Sequence, residues 1–415
     1  MLRSTYQEGS KDRPFEAIDT TLRDGLQNPE APEHGKFALT IPERLEIFAA
    51  LVRYGVRYVE VFSPLVNSEE KDSVTEILKL RNELAKTYGY TFILAHVRCE
   101  ARDVQAAIDA GVDGLNMYMG TSQESMQHNH GKKIREIANS ARTLLENIRR
   151  AHPHLQLRFS GEDAFRTPIR DLYTVYDGLA DTVDRFGTPD TVGVATPDLV
   201  RQRVKALKKR YPSVGLEGHF HNDRGYSIIN AMTAVLAGMD YMDTSVLGLA
   251  ERSGITSITS MLFNLYLDHP ELVTGFNLED SYTLNVLIAN IMNMQVPFTE
   301  PVSLTNATHS AGVHTSAMLR SSQTYQAHPL ERFGVTETRL LLGPLSGWHI
   351  VNYYLTHVLN YEGITDEIAK DIARIFKNKC SNGAANDKPT DVLRQIAEDY
   401  KLSHKDKPVT HIEQL

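Results

Sequence analysis

From about residue 15 to 265, short apolar runs alternate with longer stretches in which apolar residues recur every three or four positions. The runs "FEAID", "RYVEVF", "TFILAH", "GLNMYM", "LQLRFS", "DTVGVA", "VGLEGHF" and "YMDTSV" read as eight strands. Between them "ERLEIFAALVRYG", "VTEILKLRNELAKTYG", "ARDVQAAIDAGV" and "SIINAMTAVLAGM" carry helical spacing, with glycine closing several of them. Successive β-α units of this kind predict an α/β protein, a (β/α)8 TIM barrel with catalytic groups at the C-terminal ends of its strands. A doubly wound open sheet is the competing architecture, but no strand leads into the glycine-rich loop of a nucleotide fingerprint.

After about residue 280 the rhythm shifts to longer helical stretches, a segment "THSAGVHTSAML", and a final helical pair around "DEIAKDIARIFKNK" and "TDVLRQIAEDY". The pattern divides the chain into a barrel over residues 1–275 and a helical region over 276–415. No further β-rich module of regulatory-domain size follows.

Composition narrows the function classes. In a chain of 415 residues, 41% hydrophobic and 23% charged, no apolar run is long enough for a bilayer. Net charge is −8 with basic and acidic residues interspersed, which argues against a nucleic-acid partner. Cys99 and Cys380 are the only cysteines, too few for a disulfide framework and consistent with a reducing compartment. The N-terminus lacks the apolar core of a signal peptide and is too acidic for a typical transit peptide, so a cytoplasmic location is expected.

The candidate chemistry starts from "HFHNDRG". The pattern H-x-H occurs at 128–130, 152–154 and 219–221, and only the last ends a strand run. Residues two apart on a strand face the same side, so His219 and His221 can share one site. Strand one runs into "DTTLRDGLQNP", which places Asp24 at another strand end. Two neutral imidazoles and a carboxylate leave open positions on a divalent ion for a chelating substrate, and Asp24, His219 and His221 are the expected metal ligands. On its own segment, Asp24 reads as readily as a helix cap or a partner of Arg23. Arg158, Ser160 and Glu162 also alternate along one strand. An inward arginine needs a charged partner, either a bound anion or an internal carboxylate.

Five ordered motifs, "DTTLRDG", "RFSGEDAFR", "DTVGVATP", "GHFHNDRG" and "ERSGIT", resemble those of the metal-dependent Claisen-condensing enzymes of the homocitrate synthase and isopropylmalate synthase type, closest to homocitrate synthases. The resemblance runs from about residue 15 to 400. It implies a barrel that binds Zn, Mn or Mg, with acetyl-CoA as co-substrate and a small 2-oxo acid as acceptor. It also implies a helical lid that reaches into a partner subunit's site in a homodimer.

On matching positions, Asp24, His219 and His221 would hold the metal and Arg23 would polarise the 2-oxo acid or the enolate oxygen. Gln27, Glu60 and His96 would line the pocket, while Arg158, Ser160 and Thr191 would hold the distal carboxylate of 2-oxoglutarate. Glu162 would join the acid–base network, and His314 in "SAGVH" matches the histidine of the lid.

The sequence departs from the pattern in three places. Asp24 stands where homocitrate synthases usually carry Glu, and Leu26 replaces their acidic residue. "RDGLQN" is closer to hydroxymethylglutaryl-CoA lyases, although the cysteine-containing glycine-rich loop of those lyases is replaced by "GLAERSGIT". Where relatives carry a catalytic tyrosine after "FG", this chain has Thr338, and Tyr325 is the nearest tyrosine. The expected reaction is condensation of acetyl-CoA with 2-oxoglutarate to homocitrate. The alternatives are oxaloacetate, phosphonopyruvate or a branched 2-oxo acid as acceptor, and a lyase-type reverse cleavage.

Overall fold

The computed structural model describes residues 13–381 and 388–403. The N-terminal residues behind the reading of a leaderless chain lie largely outside that range. The described residues form two compact units that divide between Val302 and Ser303.

In the first unit eight parallel strands close into a barrel in sequence order: β1 Glu16–Asp19, β2 Tyr58–Phe62, β3 Phe92–Arg98, β4 Gly114–Gly120, β5 Gln156–Glu162, β6 Arg185–Asp190, β7 Gly215–Phe220 and β8 Tyr241–Thr244. The last strand pairs with the first, with Ile18 opposite Asp243, so no strand edge is left open. One principal helix follows each strand: α1 Ile41–Tyr54, α2 Ser68–Tyr88, α3 Ala101–Ala110, α4 Ile134–Ala151, α5 Ile169–Asp177, α6 Pro197–Arg210, α7 Ser227–Leu236 and α8 Ile258–Asp268. Local chemistry sets their ends. Thr40 and Glu43 form a capping box at the start of α1, and Gly55 closes that helix in the left-handed conformation at φ 97°. A further helix, α9 Ser281–Ile291, belongs to the same unit.

The barrel interior is layered. Ile18, Tyr58 and Leu94 make an apolar floor with Phe92 and Tyr241 packed against it. Above them the inward positions turn polar: Glu60, Asn116, Arg158, Glu217 and Asp243 are all buried.

The sixth strand differs from the sequence expectation. It is "RFGTPD", not "DTVGVA", so Asp190 ends the strand and Thr191 follows it. Gly187 and Pro189 make "RFGTPD" look like a turn in sequence. Gly187 is needed where it stands, because a Cβ there would lie 1.8 Å from Ser160 Oγ. The β-branched run after Asp190 is a loop tied to the Asp190 carboxylate, which accepts from the Val194 and Ala195 amides at 2.9 Å each.

The second unit contains a two-stranded parallel ribbon, β9 Thr308–His309 with β10 Arg339–Leu340, and four helices: α10 Gly312–Met318, α11 Trp348–Tyr353, α12 Asp366–Ser381 and α13 Pro389–Asp399. Val351, Leu355, Ile372, Phe376, Leu393 and Ile396 form its own core. The expected final helical pair is present as α12 and α13. Among the described residues no helix is long and apolar enough to cross a membrane.

Candidate active site

Asp24 opens a short 3-10 turn after β1, while His219 lies on β7 and His221 immediately follows it. Their ligand atoms lie within 4.8 Å of one another. His219 Nε2 is 3.2 Å from His221 Nε2 and 3.3 Å from Asp24 Oδ2. Three atoms bound at about 2.1 Å to one ion lie roughly 3.0 to 3.4 Å apart, so both spacings match the edges of a coordination shell.

Two further observations fit an ion there. Asp24 Oδ2 is buried without a hydrogen-bond partner. His219 Nδ1 lies 3.1 Å from Asp243 Oδ2, which holds the tautomer whose Nε2 lone pair faces the site. Burial lowers His219 to about 4 and, with help from His219, lowers His221 to about 3, so both imidazoles are neutral and free to act as ligands. Burial alone would raise Asp24, but Arg23 and the two histidines hold it below its ordinary value.

Arg23 borders this set, with Nη1 3.1 Å from Asp24 Oδ2 and Nε donating to Glu60 Oε1 at 2.7 Å. Glu60 is a hub. It also accepts from Asn116 Nδ2 at 2.5 Å and Arg158 Nη2 at 3.0 Å, and lies 3.5 Å from His96 Nδ1. Burial opposes its ionisation, yet Arg23 and His96 keep it well below the carboxylate range. His96 itself is lowered to about 4 by burial and by Arg23, and its ring stacks on Tyr118 with centroids 4.5 Å apart.

Arg158 is both buried and paired. Besides Glu60 it lies 3.0 Å from Glu217 Oε1 through Nε, and it donates to Ser160 Oγ at 2.6 Å. The internal carboxylates that sequence reasoning held open for Arg158 are therefore present, and they are Glu60 and Glu217, not Glu162.

Direct contacts join Arg23, Asp24, Glu60, His96, Arg158, Ser160, His219 and His221 into one cluster. Other expected residues lie outside that chain of contacts. Gln27 is exposed at the end of the turn after β1. The Thr191 hydroxyl accepts from the Asp163 amide at 3.0 Å, and its carbonyl accepts from Arg252 at 2.7 Å. Glu162 ends β5, raised by burial and by Asp163. His314 belongs to the second unit, exposed on α10, with its ring stacked on Tyr325 at 3.9 Å. Thr338 donates to Gln326 Oε1 at 3.2 Å, and the ring beside the histidine is that of Tyr325.

Sequence reasoning missed four members of the network. Glu217 sits two residues before His219 on the same face, so the alternation that found the histidines would have found it. Asp243 was visible as an acid inside the strand run "YMDTSV". Asn116 and Arg185 needed register: Arg185 bonds Glu217 at 2.9 Å and Asn116 at 3.2 Å, contacts made across three strands.

A closed parallel barrel with a His-His-Asp set and an arginine at the strand ends defines a metal-assisted enzyme of the TIM-barrel class. The chain belongs to the HMGL-like family, whose model spans residues 15–288, and a homocitrate synthase post-HMGL domain-like model matches residues 302–384. It is 33% identical to the mitochondrial homocitrate synthase of Schizosaccharomyces pombe over 389 residues, 93% of this chain and 89% of that one. It is 34% identical to the cytosolic homocitrate synthase isozyme of Saccharomyces cerevisiae over 366 residues, 88% of this chain and 82% of that one. HMG-CoA lyase from Bacillus subtilis shares the fold, with a TM-score of 0.57 at 21% identity over 68% of this chain and 95% of that one.

Proposed function

We propose that this chain condenses acetyl-CoA with a 2-oxo acid, 2-oxoglutarate by preference, to give homocitrate and free CoA. The observation that carries the reading is the Asp24–His219–His221 set bordered by Arg23, in a chain a third identical to homocitrate synthases over most of its length. A divalent ion held by the three ligands would supply Lewis acidity to an acceptor chelated through its carboxylate and carbonyl oxygens.

The protein's own residues do the rest. Arg23 presents a fixed positive charge where the acceptor oxygen becomes an alkoxide. A base removes a methyl proton from acetyl-CoA, the carbanion adds to the ketone carbon, and water then cleaves the thioester to release CoA as the thiol. Glu162 and the partner subunit's His314 are the proposed proton carriers, with Tyr325 holding the His314 ring by stacking. Arg158, Ser160 and Thr191 are the proposed contacts to the acceptor's distal anion, and Gln27, Glu60 and His96 line its pocket. Reverse cleavage of the lyase type is disfavoured, because residues 302–384 match the model that follows the barrel in homocitrate synthases. A cytoplasmic location is proposed for it, in line with the cytosolic isozyme among its relatives; the Schizosaccharomyces pombe enzyme is mitochondrial.

The test is release of free thiol from acetyl-CoA in the presence of 2-oxoglutarate, oxaloacetate, phosphonopyruvate and 2-oxoisovalerate, with Zn, Mn or Mg supplied in turn. The fastest kcat/KM should be with 2-oxoglutarate. A preference for 2-oxoisovalerate, or no thiol release with any acceptor, overturns the reading.

A further inference from the structure

Tyr118 is a residue to which neither the motifs nor the reaction assigns a role. It lies on β4 two positions after Asn116, whose amide reaches Glu60 and Arg185 inside the barrel, so the Tyr118 side chain also points inward. Its neighbours Met117 and Met119 are buried on the opposite face. Across the sheet Tyr118 is in register with Ser160 on β5. On its other side its ring lies nearly parallel to that of His96, with an interplanar angle of 16°. Both flanking residues belong to the proposed acceptor pocket. Tyr118 is half-buried and stands two residues before the C-terminal end of β4, which places it at the mouth end of the charged layer.

We propose that Tyr118 is a specificity-determining residue whose ring forms the wall of the acceptor pocket between His96 and Ser160 and limits the length of 2-oxo acid admitted. The proposal rests on the reading of the site as one that condenses acetyl-CoA with a 2-oxo acid. Parallel strands stand about 4.8 Å apart, so inward side chains in register on β4 and β5 are immediate neighbours. On the side away from Ser160 the ring is backed by His96, itself fixed against the Glu60 hub. The ring therefore has a support and cannot move aside without breaking the stack. Gly187, next to Ser160 on β6, contributes no side chain. At this level the β4–β6 side of the pocket is walled by Tyr118, Ser160 and the Arg158 guanidinium that donates to Ser160, and of these Tyr118 supplies the one rigid, largely apolar surface. A hydrophobic wall discriminates one methylene by roughly 10- to 200-fold.

The experiment compares wild type, Tyr118→Phe and Tyr118→Val by thiol release with oxaloacetate, 2-oxoglutarate and 2-oxoadipate. Tyr118→Val should raise the ratio of kcat/KM for 2-oxoadipate over 2-oxoglutarate by about tenfold or more. Tyr118→Phe, which keeps the ring, should leave the acceptor order of the wild type unchanged. Should Tyr118→Val not fold, Tyr118→Leu opens the wall with less loss of volume and carries the same expectation.

Calorimetric titration of each 2-oxo acid into Mn-loaded protein, without acetyl-CoA, reads the pocket apart from turnover. Absence of thiol release with a shifted binding ratio would reject the condensation and keep the role of Tyr118. An unchanged ratio of 2-oxoadipate to 2-oxoglutarate in the folded variant, in either measurement, overturns the proposal.

Discussion

His219 is held from two sides, by Asp243 at Nδ1 and toward the shared ligand position at Nε2, and that arrangement sets what its loss should do. His219→Ala is expected to abolish turnover and metal retention, read by metal analysis after gel filtration. Asp243→Asn keeps the shape but replaces the carboxyl group that orients the ring, and it should cost about 10- to 100-fold in metal affinity.

Arg158 is the more divided case. Its pairing with Glu60 and Glu217 means that Arg158→Ala leaves Glu60 with Arg23 alone and Glu217 with Arg185 alone, at a stability cost below the roughly 3 to 5 kcal/mol of a buried charge left with no partner. If Arg158 also meets the acceptor, the variant should lose kcat/KM for 2-oxoglutarate far more than for 2-oxoisovalerate. A lower melting temperature with equal losses on both acceptors would make Arg158 a structural residue.

Asp19 offers a pH test away from the metal ligands. Burial raises its carboxyl to about 7 against the opposing Thr21 hydrogen bonds. The native state therefore keeps a proton that the unfolded chain sheds near pH 4. The stability this group contributes is full below about pH 4 and is lost as pH rises to about 7. Urea midpoints of wild type and Asp19→Asn, measured from pH 4 to 8, should show the variant gaining relative to wild type across that window and no further above it.

At the scale of elements, alternation along a strand was the most readable signal. Short apolar runs gave seven of the eight strands, and alternation within a run put both histidines on one face. That reading failed for β6 because the pairing with β5 ends at Gly187, so that Pro189, aligned only with His219 of β7, is tolerated there, and because the β-branched segment that follows is folded back by the Asp190 carboxylate. Local propensity lost to tertiary pairing at that point. Asp190→Ala should unfasten the loop that carries Thr191. The expected cost is about 1 to 3 kcal/mol in stability, together with a raised KM for the acceptor and a smaller change in kcat.

At the scale of the whole molecule, the second unit has its own core and carries the paired rings of His314 and Tyr325. The proposal that one chain's lid completes the other chain's site predicts complementation. His314→Ala and His219→Ala chains, each inactive alone, should regain activity when mixed under conditions that exchange subunits, and sedimentation should show a homodimer. No recovery after verified exchange would reject sharing.

Periodicity and strand-end placement determined the barrel and the helical C-terminal region from sequence alone and marked Asp24, His219 and His221 as a candidate metal set, because those properties follow from repeats of two and 3.6 residues. The resemblance gave proposed roles to Arg23, Glu60, His96 and Arg158, of which Arg158 already stood out by alternation along its strand. The tertiary structure decided which charges meet. Glu217, Asn116, Asp243 and Arg185 became partners of the site only when strands far apart in sequence closed in register and brought four carboxylates and three arginines into one buried layer. Such pairings depend on which residues face each other across a closed sheet, and no spacing along a single strand encodes that.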